Sequence, residues 1–422
     1  MQFMRRKKLL RILLAFGIVI FVRFVFMRPY NLGKNYVARY ADRRRELSSE
    51  DASLIGVGDN TTDCNKTFLL YGIKEQWKKF LSHRFMSKYR YLIDFPRTLT
   101  CFDLNCKVLL KFSKKAKDLA GVDVVVFSNT ERWLSPDMWQ WTIGNRTKGQ
   151  RWIFVSRESP LYTKGFRPPE NYADLAYDWF ASYKLDSDVY QPYGFYKAYE
   201  EPRSQQIDLK KFVASKTLST AWMAKNCKPF AWNRHIFIES LSSLVNVDKF
   251  GSCGDKELPW HNEDAVREVL SKYKFYLALE NTCCVDYITE KFWRSLDIGM
   301  VPVVVGASYE QYLKVAPPNS FIHVDQFESI EDLAMFLVFV GNDEEKYLEF
   351  HKWRNLGQVV SYNQDEKFIS PLMDSTHCAI LEKVLTTSPD ENRKLEFWGS
   401  KWRGSCGFCG YKWIQDFGHK RH

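Results

Sequence analysis

The chain has 422 residues, 45% of them hydrophobic, and this length exceeds what a single compact core usually holds, so two globular lobes are predicted. Its formal net charge of +11 would suit a polyanionic partner, but residues 1–45 contain twelve basic side chains and one acidic one. The remaining residues are balanced, with 49 basic and 49 acidic side chains. The basicity therefore belongs to the N-terminus, and the composition argues against a nucleic-acid partner.

The N-terminus has the pattern of a membrane signal-anchor. Four basic residues, 5–8, precede an apolar stretch over 9–27 that only Arg11 and Arg23 interrupt. Nineteen helical residues span about 28 Å, enough for a thin early secretory membrane, and the basic flank should stay cytosolic. A cleaved signal peptide has an apolar run of similar length, but no small-x-small cleavage site follows this one. We therefore expect a single-pass type II protein with its bulk in the lumen.

The remainder of the chain predicts a stem and an α/β fold. Residues 28–65 are polar without a sustained period, whereas beyond them short apolar runs alternate with helical patterns, which favours parallel sheets. The apolar runs are Val122–Phe127, Trp152–Val155, Leu218–Met223, Phe275–Leu279 and Val301–Val305. The charged segment 200–204 suggests a crossing between lobes. The predicted segments are a cytosolic tail 1–8, the anchor 9–27, a stem 28–65, lobes over 66–205 and 206–375, and a C-terminal tail 376–422.

The second lobe contains a clear βαβ unit. A strand over 274–279, a turn over 280–286 and a helix over 287–298 are followed by Gly299, which ends the helix, and by the next strand. The first turn and the helix N-terminus lie at the carboxyl end of a strand, where open α/β sheets bind ligands. Lys291 falls near the positive end of the helix dipole, so a bound anion would relieve an unfavourable placement.

The sequence around this unit closely resembles the signature of the α1,3/4-fucosyltransferases, glycosyltransferase family 10. The resemblance covers roughly residues 120–355, and its blocks occur in the order that the family shows. The blocks are FYLALENTCCVDYITEKFWR at 275–294, VPVVVG at 301–306, SFIHVD at 320–325, WIFVSRESP at 152–160, SYKLDSDVYQPYG at 182–194, Asn226-Cys227 with Arg234, and VDKFGSCG at 247–254. The resemblance implies a GT-B architecture, in which two Rossmann-like lobes face each other across a cleft.

The resemblance also implies a donor site for GDP-fucose. Tyr287, Glu290 and Lys291 match donor-binding positions of the family, and Asn281 is placed with them around the fucose and nucleoside. Arg234 matches an arginine that contacts the pyrophosphate. It precedes a helical apolar pattern, so we expect it to open a helix, and a forked guanidinium suits a diphosphate leaving group.

Glu158 matches the carboxylate that the family is proposed to use as catalytic base. It follows the predicted strand over 152–155, which would bring its side chain to the cleft. A sugar hydroxyl is a poor nucleophile, and a carboxylate within hydrogen-bond reach removes its proton during attack. Single displacement on β-linked GDP-fucose then gives an α linkage, with GDP leaving as a stabilised anion and no general acid needed.

Metal and aromatic motifs are assigned lesser roles. Asp186 and Asp188 form an Asp-x-Asp pair like that of manganese-dependent transferases, but two carboxylates alone make a weak metal site. No obligatory cofactor and no fixed metal site are therefore expected. Mn²⁺ is expected at most to stimulate the activity. Trp133, Trp139 and Trp141 could form a platform for the acceptor sugar, with core packing as the alternative for each.

The cysteines and sequons are typical of a lumenal protein. Ten cysteines are an even number, and the Cys406-x-x-Cys409 pair lacks the second pair that a zinc site needs, so we expect a disulfide to Cys378 or to the core. Glycosylation sequons begin at Asn60, Asn65 and Asn145.

Together with the N-terminal pattern, the family resemblance implies a Golgi-membrane, inverting α1,3-fucosyltransferase that moves L-fucose from GDP-fucose to N-acetylglucosamine in glycoprotein N-glycans. The innermost core N-acetylglucosamine and the antennal one stay open as acceptors. The alternative from another class is a catalytically silent carbohydrate-binding relative, against which the intact Glu158 and the 287–291 block argue.

Overall fold

The computed structural model describes residues 64–361 except 73–76, 78–94, 102–103, 129–134, 163–167, 202 and 259–261, and then residues 371–388, 391, 394–397, 402–407 and 409. The predicted tail, signal-anchor and all of the stem before residue 64 lie outside these residues, as do Asn60 and Trp133. Within the described part, no helix is both long and apolar enough to cross a membrane.

The first sheet is built mainly of parallel strands. Its seven described strands run in the order β2-β3-β1-β4-β5-β6-β7, and only β2 pairs antiparallel, with β3. The strands are β1 (Lys66–Tyr71), β2 (Arg97–Cys101), β3 (Cys106–Ser113), β4 (Val124–Ser128), β5 (Arg151–Ser156), β6 (Trp179–Ser182) and β7 (Val189–Tyr190), with helices α1 (Pro136–Gly144) and α2 (Ala173–Ala176) between them.

Both faces of this sheet are covered. Along β4, Val124 and Val126 join one apolar cluster while Val125 and Phe127 join another, because successive side chains of a strand point to opposite faces. The sequence of β4 is accordingly apolar at nearly every position, as expected of a parallel strand buried on both sides.

The second sheet is entirely parallel in its described strands, with the order β10-β9-β11-β13-β14. These strands are β9 (Leu218–Met223), β10 (Val247–Phe250), β11 (Tyr273–Leu279), β13 (Val301–Val305) and β14 (Ile322–His323). Its helices are α3 (Leu209–Ala214), α4 (Arg234–Ser242), α5 (Glu263–Leu270), α6 (Glu290–Ile298), α7 (Tyr309–Val315), α8 (Ile330–Gly341) and α9 (Glu344–Glu349).

Two further strand pairs and one helix link distant parts of the chain. Strand β8 (Gly194–Ala198) pairs antiparallel with β15 (Gly357–Ser361), and β12 (Cys283–Cys284) pairs antiparallel with β16 (Cys406–Gly407). Helix α10 (Pro371–Thr386) contacts β2, β3 and β7 of the first sheet. The chain thus returns to the first lobe after the second sheet, and α10 straddles the boundary predicted at 375/376.

All ten cysteines are paired. The disulfides are Cys64–Cys106, Cys101–Cys378, Cys227–Cys253, Cys283–Cys409 and Cys284–Cys406. The expected link from the Cys406-x-x-Cys409 pair to the core is confirmed, whereas the alternative link to Cys378 is wrong, because Cys378 on α10 bonds to Cys101 at the end of β2.

The α/β class is confirmed, and one predicted boundary is wrong. The helix expected over 287–298 begins only at Glu290, with Thr289 in extended conformation as its N-cap. The Glu280 carboxylate accepts a hydrogen bond from the Thr289 backbone N–H, which holds Thr289 outside the helix. The predicted end is correct, since Gly299 caps the helix in the left-handed conformation at φ 103°.

Candidate active site

A fully buried carboxylate, Glu280, lies at the carboxyl end of β11. It accepts hydrogen bonds from the Thr289 N–H at 2.8 Å, from Thr289 Oγ1 at 2.7 and 2.9 Å, and from Lys291 Nζ at 3.0 Å. Space for it depends on Gly306 after β13, where a Cβ would lie 2.8 Å from Glu280 Cγ. Burial raises the pKa of Glu280, although the ammonium of Lys291 opposes the rise.

Lys291 stands between two carboxylates. Its Nζ lies 3.0 Å from Glu280 Oε2 and 3.6 Å from Glu290 Oε1. Desolvation works against the charge on Lys291, but Glu280 and Glu290 outweigh it and raise its pKa. For Glu290, desolvation is likewise outweighed by Lys291 and Arg294, which lower the pKa of that carboxyl to about 2. Glu280 is wholly covered whereas Lys291 and Glu290 keep 21% and 35% exposure, so these two face the open side.

Arg234 opens α4, as predicted, and its guanidinium reaches the same carboxyl end of β11. It donates to the Leu279 carbonyl at 3.4 Å and to the Asn226 carbonyl at 3.1 Å. Burial lowers the pKa of Arg234, and the charge of Glu280 counters this effect. Arg234 and Lys291 are close enough for their charges to repel, so the end of the sheet presents two neighbouring cations. Such a pair favours a bound diphosphate.

Glu158 approaches this cluster from the first lobe. It follows β5, and its backbone carbonyl accepts a hydrogen bond from Ser156 Oγ. Its carboxylate accepts a hydrogen bond from Tyr287 Oη of the second lobe at 3.1 Å. Burial raises the pKa of Glu158; the charge of Lys291 and the Tyr287 hydrogen bond lower it, but not enough to cancel the rise. A carboxyl in this state is suited to accept a proton.

Contacts between the lobes hold Tyr287 in place. Its ring lies 4.9 Å from that of Tyr183 and 6.5 Å from that of Tyr193, both from the first lobe. The preceding residue, Asp286, adopts a positive φ of 60° and accepts a hydrogen bond from the Leu185 N–H at 3.0 Å. The lobes therefore meet through an aromatic cluster and a hydrogen bond from the Leu185 N–H to the Asp286 carboxylate, directly beside the Tyr287–Glu158 contact.

The remaining predicted site residues lie around this centre. Asn281 directly follows Glu280, is half-buried, and accepts a hydrogen bond from Thr282 Oγ1 at 3.4 Å. Asp188 accepts a hydrogen bond from the Phe180 N–H, and Asp186 pairs with Lys184. Both carboxylates thus have structural partners within the first lobe.

The predicted tryptophan platform is not formed as a unit. Trp139 is buried and stacks on Phe127 at 6.0 Å, so it belongs to the core of the first lobe. Trp141 is 71% exposed on the other side of α1. Of the sequons within the described residues, Asn65 lies exposed before β1, and Asn145 caps α1 at its C-terminal end.

Sequence reasoning assigned no role to Glu280, Asp286, Tyr183 and Tyr193. The signal for Glu280 was an acidic residue directly after a strand whose last five residues, 275–279, are apolar and buried, where a charge needs a buried partner. The contacts of Asp286 and of the two tyrosines cross between lobes and have no local sequence signal.

Two family models match the chain. The model of the fucosyltransferase N-terminal domain matches residues 69–194, and the model of the glycosyltransferase family 10 (fucosyltransferase) C-terminal domain matches residues 213–398. The chain belongs to glycosyltransferase family 10. Its two lobes correspond to the two family domains, and the Glu158 and Lys291 sides of the site fall in different ones.

Curated fucosyltransferases match part of the chain. Alpha-(1,3)-fucosyltransferase 4 of Mus musculus is 38% identical over 261 residues, 60% of this chain and 55% of its own length. A 4-galactosyl-N-acetylglucosaminide 3-alpha-L-fucosyltransferase of Gorilla gorilla gorilla is 39% identical over 50% of this chain and 53% of its own length. The chain thus spans about half the length of these curated relatives. A crystal structure of an alpha1,3-fucosyltransferase with GDP-fucose is 17% identical, with a TM-score of 0.45, and covers 78% of this chain and 92% of its own.

Proposed function

We propose that the protein is an inverting α1,3-fucosyltransferase that moves L-fucose from GDP-β-L-fucose to the 3-hydroxyl of N-acetylglucosamine in glycoprotein N-glycans. The observation that carries this proposal is the hydrogen bond between Glu158 of one lobe and Tyr287 of the other, within electrostatic reach of Lys291 at the strand end of the second lobe. Membership of family 10 supports GDP-fucose as the donor. The charges and hydrogen bonds of the site support the role proposed for each residue.

The second lobe holds the donor in this proposal. Lys291 and Arg234 bind the diphosphate, whose negative charge grows as the bond to fucose breaks, so they stabilise the transition state more than the ground state. Glu290, ionised because of its cationic neighbours, accepts hydrogen bonds from sugar hydroxyls. Asn281 and Tyr287 line the part of the donor site that holds the fucose and the nucleoside.

The first lobe activates the acceptor. Glu158 takes the proton of the acceptor 3-hydroxyl as its oxygen attacks the anomeric carbon of fucose, and GDP leaves from the opposite face. The configuration therefore inverts from β to α. The diphosphate departs as a stabilised anion, so no protein acid is needed for the leaving group. The reaction has no obligatory cofactor in this scheme, and Mn²⁺ would act only as a stimulant without a fixed ligand set.

For the acceptor, we propose the galactosylated N-acetylglucosamine of N-glycan antennae. The support is the gorilla relative, which is a 4-galactosyl-N-acetylglucosaminide 3-alpha-L-fucosyltransferase. The core N-acetylglucosamine is the competing acceptor of the same chemistry.

We place the protein in the Golgi membrane as a single-pass type II protein with its lobes in the lumen. The apolar segment 9–27 with its basic flank supports the anchor. Five disulfides support an oxidising compartment, because such bonds persist where glutathione does not reduce them.

The test is an acceptor competition with protein lacking residues 1–45. It is incubated with GDP-fucose, N-acetyllactosamine and a trimmed N-glycan core, and the linkage is determined by mass spectrometry. We expect α1,3-fucosylated N-acetyllactosamine. Transfer to the trimmed core alone would replace the antennal proposal with the core one. No transfer to either, together with retained glycan binding, would favour a catalytically silent carbohydrate-binding relative.

A further inference from the structure

Helix α1 exposes an apolar surface that contains none of the site residues described above. Trp141 is 71% exposed and Met138, one turn earlier on the same face, is 40% exposed. Leu175 of α2 is 53% exposed, and its carbonyl accepts a hydrogen bond from Arg146 just after α1. These three residues form what we call the Trp141 face.

A glycosylation sequon adjoins this face. Asn145, the C-cap of α1, begins Asn145-Arg146-Thr147, and Thr147 is exposed. The backbone N–H of Asn145 donates to the Trp141 carbonyl at 3.2 Å, so Asn145, although it is the non-helical C-cap of α1, lies one turn beyond Trp141. Helical side chains lean toward the N-terminal turn, and side chains four residues apart share a face. The Asn145 side chain lies against the turn that carries Trp141, since its amide bonds to the Trp141 carbonyl.

The amide that would carry the sugar is already held at Trp141. Asn145 Nδ2 donates a hydrogen bond to the Trp141 carbonyl at 2.8 Å. In N-glycosylation, Nδ2 forms a bond to C1 of N-acetylglucosamine, the bond from C1 to a lipid diphosphate breaks, and the amide loses one proton. One amide hydrogen remains, so the glycosylated amide still has a donor for the Trp141 carbonyl, and a bond between them would keep the first sugar beside Trp141.

We propose that the innermost N-acetylglucosamine of an N-glycan on Asn145 stacks on the indole of Trp141 and covers the Trp141 face. The apolar C–H side of a pyranose ring matches the face of an indole, and Met138 extends the contact by one turn. The occupant of this surface is thus a part of the protein's own glycan and not the acceptor substrate. The proposal rests on the proposed lumenal location, but not on the transferase activity.

The test uses full-length protein from a eukaryotic secretory host. Glycopeptide mass spectrometry gives the occupancy of Asn145, and oxidative footprinting gives the oxidation rate of Trp141. We expect high occupancy and oxidation about fivefold slower than in the Thr147→Ala variant, the protection expected for aromatic stacking of ordinary strength. After an endoglycosidase has trimmed the glycan to one N-acetylglucosamine, the protection should persist.

Matched controls separate stacking from other causes. Thr67→Ala removes the sequon at Asn65 and should leave the oxidation of Trp141 unchanged. Trp139, which is buried, should oxidise equally slowly in every sample. Thermal unfolding of Thr147→Ala checks that the exposed substitution leaves the fold intact.

Three results would overturn the proposal. If Asn145 carries no glycan, there is no sugar to stack on Trp141. Loss of protection on trimming would mean that a long glycan shields Trp141 by bulk without stacking. A Trp141→Ser variant with a raised acceptor KM, combined with a normal acceptor KM in Thr147→Ala, would assign the Trp141 face to the acceptor instead.

Discussion

Glu158 and Glu290, one site carboxyl from each lobe, have pKa values that are shifted in opposite directions. In the second lobe, Glu290 lies beside Lys291 and Arg294, which lower its pKa to about 2 and keep it ionised. In the first lobe, burial raises the pKa of Glu158 against the influence of Lys291 and the Tyr287 hydroxyl. Carboxylates whose surroundings shift their pKa values apart have different chemical roles. The second lobe is thus organised to bind charge, and the first lobe supplies a group that exchanges a proton.

The largest expected effect comes from removing the first-lobe carboxylate. Glu158→Gln should lower kcat by about 10² to 10⁴, the usual range for a general base, because the amide cannot accept the proton. GDP affinity should change little, since the cations lie in the other lobe. Steady-state kinetics and calorimetry of GDP binding check this pair of outcomes. Glu345→Gln, at an exposed position paired with Lys210, is the control. Undiminished turnover would remove Glu158 as base.

Changes to the second-lobe cations should act on the donor. Arg234→Gln should weaken GDP binding by about 10- to 100-fold, the loss expected for a hydrogen-bonded charge. Arg234→Lys should recover only part of it, because an ammonium lacks the fork that binds two phosphate oxygens. Lys314→Met, at an exposed site on α7, is the matched control. Equal GDP affinity in Arg234→Gln and wild type would contradict the assignment.

The disulfides allow a comparison between a bridge next to the proposed donor site and a bridge elsewhere, in the first lobe. The double variant Cys284→Ser, Cys406→Ser frees the turn that carries Asp286 and Tyr287, so it should lower both the unfolding temperature and GDP affinity. The variant Cys64→Ser, Cys106→Ser, beside β1 and β3, should lower only the unfolding temperature. The stability loss in each should be about 2 kcal/mol or more. Thermal scans and GDP titrations on both variants measure the unfolding temperature and the GDP affinity. An unaltered GDP affinity in the Cys284→Ser, Cys406→Ser variant would show that this disulfide does not support the donor site.

Much of the fold could be predicted from apolar patterning. All five strands proposed from short apolar runs exist, because a strand buried on both faces has few polar residues to obscure it. The start of α6 was placed three residues early, since Tyr287 and Ile288 continue its apolar pattern. Their exclusion depends on the hydrogen bond from Thr289 to Glu280.

The site was predicted only where the residues form local motifs. Lys291 and Arg234 were identified through family blocks, and the geometry brings both to the end of β11. Glu280, which holds Lys291, received no role because a single acidic residue in a turn is usually solvated. The contact of Tyr287 with Glu158 joins residues 129 positions apart, and no local pattern reports such a pair.

The smallest expected effect is also the most specific. Tyr287→Phe keeps the ring against Tyr183 but removes the hydrogen bond to Glu158, so the pKa of Glu158 should rise further. A base must be ionised, so activity falls as pH drops through that pKa. The variant should lose activity at a higher pH than wild type, while the two differ only a few-fold where Glu158 is fully ionised.

The pH dependence of kcat/KM tests the central claim, that a buried Glu158 meeting Tyr287 between the lobes is the base. The wild-type profile should have an acid limb above the ordinary glutamate pKa of 4.5, and Tyr287→Phe should move this limb to higher pH. A wild-type limb at or below 4.5, or one that Tyr287→Phe leaves in place, would contradict the account.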